Sequence, residues 1–467
     1  MIVIPNWFSY IALFIWPVIT LVLYRSKSPV AATLWAIIGG HMLLPVGNAV
    51  DLPMIPPLGK ESIPALSAFV GCRFVAKKRI PIFGQRGTVR WLLLLFIVGP
   101  FVTAELNGDA FVVGGHLLPA ITHYDAFTTV VNQLILITPF FLGRQLFRTY
   151  EDQLQMFRVL IVAGMFYSLL MLFEVRMSPQ LHTWIYGYFP HSFGQQMRYG
   201  GFRPVVFMGH GLLVAFFAVV MVIAASVFWQ LKIKVRRFSL AGITYYFLFV
   251  LLLCKSVGSI IYGFSAFLLI KLTSFKMQLR AARILVLLAL LYPTLSIFNI
   301  FPHQTLMEWA TSLDPDRAQS MGVRFDNEHI LLDHARKRFF FGWGTWGRNR
   351  LFSEQTGEDI TITDGRWIIT FGQFGWMGFV AEFGLLAMSA FRAIASFRLL
   401  KTKKEMGLMC AHALLIGIIM IDQIPNASIA PWLWLITGIL LGRTEAIFEA
   451  SRKRVTPKLA VEAATHS

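Results

Sequence analysis

Long runs without charged residues alternate along the chain with short polar or basic segments. A helix needs about 20 apolar residues to cross the hydrocarbon core of a membrane. The runs that best meet this requirement are 5–24, 29–50, 126–143, 159–173, 204–231, 238–254, 256–270, 284–302, 367–390 (interrupted by Glu382), 406–421 and 424–442. Two weaker candidates are 62–76, which contains Arg73, and 91–104. The pattern predicts an all-α, polytopic transmembrane bundle of about 11 to 13 spans.

Lysine and arginine predict the orientation of this bundle, because short loops rich in them face the cytoplasm. The basic segments are 25–27, 77–90, 144–158, 232–237, 271–283, 392–404 and the tail after 442. With thirteen spans, every basic segment falls on one face. This arrangement predicts a multi-pass membrane protein with its N-terminus outside and its C-terminus in the cytoplasm.

Composition supports the membrane assignment and argues against a soluble domain or a nucleic-acid-binding protein. The chain is 56% hydrophobic and only 14% charged, against roughly 25% charged residues in a soluble domain. Its net charge of +18 is explained by cytoplasmic loops and anionic lipids, so no nucleic-acid partner is expected. Cys72, Cys254 and Cys410 lie in or beside apolar runs without metal-ligand spacing, which favours small buried side chains. Residues 1–24 contain no Lys or Arg, which favours a retained first span over a signal peptide.

The predicted organisation has four parts. Residues 1–302 form a bundle with an outer segment at 174–203, residues 303–366 form a large outer loop, residues 367–445 form the final three spans, and residues 446–467 form a cytoplasmic tail. The outer loop is the only long polar stretch and is rich in arginine, so chemistry is expected there.

Within this loop, the stretch RFDNEHILLDHARKRFFFGWG (324–344) predicts a helix of about four turns that is stopped at Gly342 and Gly344. Arg336 to Arg338 are interpreted as a solvated or headgroup-facing cluster. His329 and Asp333 stand four residues apart, as helical metal ligands can. The density of nearby acidic and histidine residues makes coincidence the better explanation, and no metal site is predicted.

Several of these features resemble the C-terminal signature of the bacterial O-antigen polymerase and O-antigen ligase superfamily. Arg324, an apolar helix, FFFGWG, and then Asp364-Gly365 ahead of an apolar stretch follow the order and spacing of that signature. The segment RYGGFRPVVFMGHG (198–211) is similar to the arginine-rich outer segment of the family, and CKSVGS (254–259) to a serine-containing turn. This chain departs from the pattern at Phe339, Asp364-Gly365 and Gln373, where the family has proline, His-Asn and glutamate.

The resemblance implies glycosyl transfer on the periplasmic face of the bacterial inner (cytoplasmic) membrane, with neither a metal nor a cofactor. The implied donor is a glycan linked to undecaprenyl pyrophosphate, and the acceptor is a sugar hydroxyl. Arginine suits such a donor because its planar, permanently charged fork pairs with phosphate oxygens. Arg198, Arg203 and Arg324, with Lys255, are therefore expected to bind the pyrophosphate. Lys255 could equally be a lysine that extends from a tight turn to the outer surface.

Asp364 and Arg324 are the predicted catalytic residues. Asp364 is expected to deprotonate or orient the acceptor, although aspartate before an apolar run is also a common helix N-cap. Trp343, Trp346 and Trp367 are candidates for stacking on sugars, whereas an interfacial aromatic belt would need no ligand. The glycines at 372, 375 and 378 are interpreted as small residues that let neighbouring spans approach closely.

Three functions remain open from the sequence. The favoured one is a polymerase of O-antigen, exopolysaccharide or capsule repeat units; a ligase that transfers the glycan to lipid A core uses the same donor. A polytopic transporter of a lipid-linked oligosaccharide is the alternative from another class, with Glu382 and Asp422 as its intramembrane carboxylates. Expected partners are the lipid-linked glycan, membrane lipids, a chain-length regulator and a flippase.

Overall fold

The computed structural model describes residues 5–465 except 53–54, 84–86, 199, 236–237 and 314. Arg86, Arg236 and Arg237, which belong to two of the predicted basic segments, lie outside the described residues. The helices are α1 (Trp7–Ser26), α2 (Pro29–Leu43), α3 (Ile63–Val70), α4 (Thr88–Glu105), α5 (His123–Leu146), α6 (Tyr150–Met177), α7 (Leu181–Tyr186), α8 (Gly211–Gln230), α9 (Leu240–Leu253), α10 (Val257–Leu272), α11 (Phe275–Ile297), α12 (His303–Leu313), α13 (Pro315–Arg336), α14 (Arg366–Ser396), α15 (Lys403–Asp422) and α16 (Pro431–Thr465).

Short antiparallel hairpins interrupt the helices, which the sequence pattern did not predict. The strands are β1 (Ala49–Leu52), β2 (Ile55–Gly59), β3 (Phe111–Val113), β4 (His116–Leu118), β5 (Met197–Arg198) and β6 (Gly201–Phe202). They pair as β1 with β2, β3 with β4, and β5 with β6. Each hairpin is short and joins consecutive elements, so the fold remains a helical bundle.

Each predicted hydrophobic run contains a helix, although 29–50 is helical only to Leu43 and 204–231 only from Gly211. Within the described part of the chain, eight helices are long and apolar enough to cross a membrane. Four shorter helical segments are also apolar: α2, Ile63–Val75, α9 and α10. The prediction of a mostly helical, multi-pass membrane fold is thereby confirmed at this coarse level.

Helix α8 is the centre of the bundle. Nearly every side chain from Val214 to Phe228 is buried, whichever way it points. A helix that is hydrophobic all round belongs inside a protein and not at its surface. Helices α6, α9, α10 and α15 pack against it. Cys72, Cys254 and Cys410 are buried, as predicted.

Helices α5 and α16 pack with their backbones almost in contact. A side chain at Gly438 or Gly442 would collide with the backbone of Phe140 or Arg144, and one at Gly143 would collide with Leu435. Small residues at such positions allow close helix packing, which drives association where no hydrophobic effect separates helix from lipid. This contact ties the last helix to the middle of the chain.

Contacts between loops show which helix ends share one side of the bundle. The start of α1 meets α7 through Asn6 and Tyr186, and the start of α14 meets the α15–α16 connection through Arg366 and Asn426. The α9–α10 turn likewise meets the β5–β6 hairpin. This side, formed by the described residues within 44–62, 106–122, 178–210, 254–256, 298–365 and 423–430, is called the loop end below. The opposite side, where α5 ends and α15 begins, is called the arginine end.

The long polar segment that begins at residue 303 contains more helix than the sequence predicted. Helix α13 starts at Pro315, so Arg324 lies inside it and does not begin a helix. The helix also ends at Arg336, ahead of the two glycines. Gly342 and Gly344 instead have φ values of 68° and 81° and shape an irregular turn, a backbone region that glycine adopts without steric cost.

The interpretation of Arg336 and Arg338 as a solvated cluster is wrong. The Arg336 guanidinium donates to the carbonyls of Ser296 and Ile297 at the end of α11, at 2.7 and 2.8 Å. Arg338 donates to the carbonyl of Leu106 beyond the end of α4. Cations at helix C-termini satisfy free carbonyls and oppose the helix dipole. Both arginines therefore attach α13 to the loop end.

Helix α14 is broken at Gly375, where φ is 66° and ψ is −163°. The predicted glycine-mediated close approach occurs here, but its partner is residues 339–344 and not a neighbouring span. Trp343 N and Gly344 N donate to the carbonyls of Gly372 and Gln373 at 2.9 and 2.8 Å, while Trp376 N donates to the Phe339 carbonyl at 2.7 Å. The two segments thus satisfy each other's backbone groups, which an irregular segment at membrane depth requires.

Gly375→Ala should destabilise the protein strongly. An added Cβ would collide with the backbone of Phe340, and alanine at positive φ is itself strained by roughly 1–3 kcal/mol. We expect a clear fall in the thermal unfolding midpoint of the purified protein. Gly99→Ala is the matched control, because a Cβ at that position in α4 meets nothing within 4 Å. An equal effect of the two substitutions would contradict the proposed role of the break.

Candidate functional site

Two cavities adjoin at the loop end, and Arg324 and Pro425 line both of them. The larger has a volume of about 570 Å³ and lies among the β5–β6 hairpin, the α9–α10 turn, α13 and the α15–α16 connection. The smaller has a volume of about 230 Å³ and lies among α11, α13 and the start of α14. Together they hold most of the residues that the sequence singled out.

The larger cavity brings together all four predicted pyrophosphate-binding residues: Arg198, Arg203, Lys255 and Arg324. They come from separate parts of the sequence and from different elements. Asp422 is the one carboxylate among the described residues that line this cavity. Four cationic side chains around one space create a positive potential that an anionic ligand would neutralise.

The turn between α9 and α10 is fixed by its contacts with the β5–β6 region. Lys255 has a left-handed backbone with φ of 50°, and its Nζ donates to the Arg198 carbonyl at 3.0 Å. The Arg203 guanidinium donates to the Lys255 carbonyl at 2.9 Å. Lys255 therefore folds back over the hairpin, and the lysine and two arginines are held close together before any ligand arrives.

Glu174 fixes the backbone that follows Arg203. The predicted span 204–231 becomes helical only at Gly211. Before that point, Val205 N and Val206 N both donate to the buried Glu174 carboxylate at 2.7 Å. A buried loop needs such partners for its backbone, so this carboxylate sets the path on which Arg203 enters the bundle.

His210 is a partly buried histidine near Arg203 and Arg198, beside the larger cavity. Burial, and then the charges of His191, Arg203 and Arg198, lower the pKa of His210 to about 4. Its ring nitrogen accepts from Leu212 N and so caps α8. A histidine with this pKa is neutral at physiological pH, which leaves the arginines and Lys255 as the cations of this region.

Arg324 reaches the cavities from the middle of α13 and is exposed. The parts of the chain that the structure describes provide no hydrogen bond or ion pair to its guanidinium. This distinguishes it from Arg336, which is fully engaged with α11. A guanidinium with its donors available is suited to a ligand that carries phosphate oxygens.

The smaller cavity contains Asp364 and Trp367 together with Arg324. Asp364 is exposed, and α14 begins at Arg366 with Gly365 in the N-cap position and no side-chain cap. The alternative interpretation of Asp364 as a helix cap is therefore wrong. A side chain at Gly365 would collide with the Ile424 carbonyl, so glycine allows Asp364 to lie directly beside the α15–α16 connection.

Arg366 holds the start of α14 in place. Its backbone N–H lies 3.0 and 3.1 Å from the carbonyls of Gln423 and Asn426, and its Nε donates to Glu382 at 2.9 Å. The Thr370 hydroxyl donates to the other oxygen of Glu382 at 2.6 Å. Glu382, buried inside α14, is thus paired on both oxygens and anchors the helix that carries Asp364.

Glu328 is a second carboxylate in the smaller cavity, and sequence analysis did not select it. The Tyr292 hydroxyl lies 2.7 and 2.9 Å from the two Glu328 oxygens, and burial raises the pKa of Glu328 to about 6. Arg324, Glu328 and Leu331 all line the cavity. Residues three and four apart share one helix face, so this spacing was the available signal.

Asp422 was considered only as a transporter residue, yet it faces the larger cavity. It is 3% exposed and accepts hydrogen bonds from Ser428 at 2.7 Å and Asn426 at 2.9 Å. These bonds stabilise a buried carboxylate and fix the α15–α16 connection. Its position on the cavity was not visible in the sequence, because the contact depends on the fold of that connection.

The three candidate tryptophans lie in different places. Trp367 is almost fully buried and packs edge-on against Tyr292 in the smaller cavity. Trp343 stacks on His334 at 4.3 Å and carries Arg338 over its ring. Trp346 is 61% exposed and lines a third cavity of about 490 Å³. The structure does not bring them together as one platform.

The third cavity lies on the opposite side of the 362–369 segment from the smaller one. Ile362 and Asp364 line the smaller cavity, whereas Thr363 lines the third one. The third cavity also presents Arg350, which pairs with Asp359 at 2.8 Å. The segment that carries Asp364 therefore separates the smaller cavity from the third one.

Comparisons with protein families and with curated proteins do not assign a function to this site. No protein-family model matches the chain, and a search of curated proteins gave no significant match. The resemblance to the O-antigen polymerase and ligase superfamily therefore depends on the motif residues and their spacing.

Proposed function

We propose that this protein is a membrane glycosyltransferase that polymerises polysaccharide repeat units linked to undecaprenyl pyrophosphate. The proposal places the loop end at the periplasmic face of the inner membrane, with thirteen spans and a cytoplasmic C-terminus. Its main support is the convergence of Arg198, Arg203, Lys255 and Arg324 on one cavity beside Asp364. A membrane protein that gathers four cations at one end is suited to an anionic lipid headgroup.

In the proposed reaction, the bond between the anomeric carbon and the pyrophosphate oxygen of the donor breaks. The leaving pyrophosphate keeps the electron pair and gains negative charge. Arginines fixed beside it stabilise that charge more in the transition state than in the bound donor. The acceptor hydroxyl forms the new bond to the anomeric carbon and releases its proton to a carboxylate.

Glu328 is the better base of the two carboxylates in the smaller cavity. Its pKa of about 6 lies close to the working pH, where a general base is most effective. Asp364 is exposed, and we assign it to orienting the acceptor. Arg324 lies between the two cavities and would contact the pyrophosphate while the acceptor occupies the smaller cavity with Trp367.

A transporter is supported less well. Transporters often aim the free N–H groups of a broken helix at their substrate, and α14 is broken at Gly375. Its freed donors Trp376 N and Met377 N, however, already bind the carbonyls of Phe339 and Phe340. Glu382 is likewise occupied by Arg366 and Thr370, so these groups serve the fold.

The first test separates the three functions by gel analysis of lipid-linked and surface glycans from cells that lack this gene. A polymerase predicts single repeat units with no ladder. A ligase predicts full-length chains that remain on undecaprenyl pyrophosphate. An unchanged glycan pattern would contradict both enzymes, and loss of every outer-face repeat unit would favour the transporter.

Arg324→Ala should abolish glycan extension at normal expression. Removing one charge-assisted donor to a transition state costs roughly 3 kcal/mol, about a hundredfold in rate. Chain length in complemented cells measures the effect. Arg176→Ala is the control, because this exposed arginine in the last turn of α6 lines neither cavity. Glycan of normal chain length from both variants would contradict the proposed site.

The pH dependence tests the assignment of Glu328. A base must be ionised, so the wild-type rate should fall as pH decreases through about 6, the pKa of this carboxyl. Glu328→Gln should lose at least about a hundredfold in rate and should lack this acid limb. Asp364→Asn should lower the rate but keep the limb. Transfer assays with purified protein over pH 5–8 measure both; an unchanged limb in Glu328→Gln would exclude Glu328 as the base.

A further inference from the structure

A separate cavity lies at the arginine end, far along the helices from the candidate site. It has a volume of about 290 Å³ and opens between the start of α4, the ends of α5 and α14, and the middle of α16. Its charged lining consists of Arg144, Arg392, Glu445, Glu449 and Arg452. None of these residues takes part in the proposed glycosyl transfer.

Ion pairs inside this region are organised around Glu445. Arg144 binds it through Nε and Nη2, with the shortest contact at 2.7 Å, and Arg148 and Arg392 approach it at 3.7 and 3.6 Å. Arg148 also pairs with Glu449 at 2.6 Å. One carboxylate thus lies within ion-pair distance of three arginines.

Positive charge exceeds negative charge around the cavity. Among the described residues that line the cavity, three arginines, Arg144, Arg392 and Arg452, lie with two carboxylates, those of Glu445 and Glu449. Arg443 does not add to this excess, because it pairs separately with Glu405 at 2.9 Å. One net positive charge therefore remains at a partly enclosed site, where screening by solvent is weaker than on an open surface.

Arg144 supplies an independent observation. Its side chain is 7% exposed, and its Nη1 is buried without a hydrogen-bond partner, while Nε and Nη2 bind Glu445. An unsatisfied buried donor is costly, and more so when it is charged. A ligand oxygen in the cavity that Arg144 lines would satisfy this group.

We propose that this cavity binds a phosphate group. Arginine forks match the oxygens of phosphate in geometry and charge, and Arg392 and Arg452 flank the space that Arg144 leaves unsatisfied. The phosphate belongs either to the headgroup of an anionic lipid at this membrane surface or to a free anion. Binding there would tie α16 to α5 and α14, and so would stabilise the last helix of the bundle.

Thermal unfolding of the purified full-length protein in detergent tests the site with two probes. The probes are inorganic phosphate and vesicles of phosphatidylglycerol, with zwitterionic phosphatidylcholine as the lipid comparison. A ligand that binds only the folded state raises the unfolding midpoint, here by roughly 3 °C or more at saturation. A response to inorganic phosphate identifies a free-anion site, and a response only to phosphatidylglycerol identifies a lipid headgroup site.

The double variant Arg392→Ala/Arg452→Ala should lose this response while Arg144 and its bond to Glu445 remain intact. Arg79→Ala/Arg398→Ala is the charge-matched control, because both residues are exposed, belong to predicted basic segments and do not line the cavity. The control should respond like the wild type. Three results would overturn the proposal: no response to either probe, equal responses to the two lipids, or equal loss in the two double variants.

Discussion

The packing of residues 339–344 onto the break in α14 is the contact on which the loop end depends. Donors from Trp343 and Gly344 reach α14, and a donor from Trp376 returns to Phe339. Because both segments are irregular, each would leave backbone groups unsatisfied alone, and unsatisfied groups at membrane depth are expensive. Together they fix the end of α13 against the start of α14, which brings Arg324 and Glu328 beside Asp364.

Other contacts reinforce the same junction. Buried Arg348 donates to the carbonyls of Asp109 and Pro119 and so binds the segment after the turn to the α4–α5 connection. Arg336 and Arg338 attach α13 to the ends of α11 and α4. Arginine acts as a multivalent connector here, since its five donors can satisfy several carbonyls at once. The polar loop is thereby a packed part of the protein and not a flexible appendage.

Charge is used differently at the two ends of the bundle. At the loop end, Arg324 has no partner among the described residues, and four cations face one carboxylate in the larger cavity. At the arginine end, Arg144 and Arg148 are paired with Glu445 and Glu449. The first arrangement suits an anion that is bound, transformed and released, because positive charge exceeds negative charge around that cavity. The second suits a structural anion, because only a small excess of charge remains.

The sequence by itself determined the helical membrane fold, since uncharged runs of near span length have few alternatives to crossing a bilayer. The motif resemblance also singled out Arg198, Arg203, Lys255 and Arg324 as a set, because the donor that it implies carries a pyrophosphate. The i, i+4 spacing placed Glu328 on one helix face with Arg324, but only the fold showed that this face lines a cavity together with Asp364. The sequence also could not show whether Gly375 breaks its helix or only allows a neighbouring span to pack closely.

Tertiary structure alone decided which of these residues meet. Asp364 could be a cap or a cavity residue from its sequence context, and the position of Gly365 against Ile424 settles this in favour of the cavity. The three tryptophans were equivalent in sequence but lie in three environments. Local patterns encode the helices because hydrophobicity and backbone hydrogen bonding are local or periodic. The site depends on long-range backbone pairing and buried ion pairs, which leave no periodic signal in the chain.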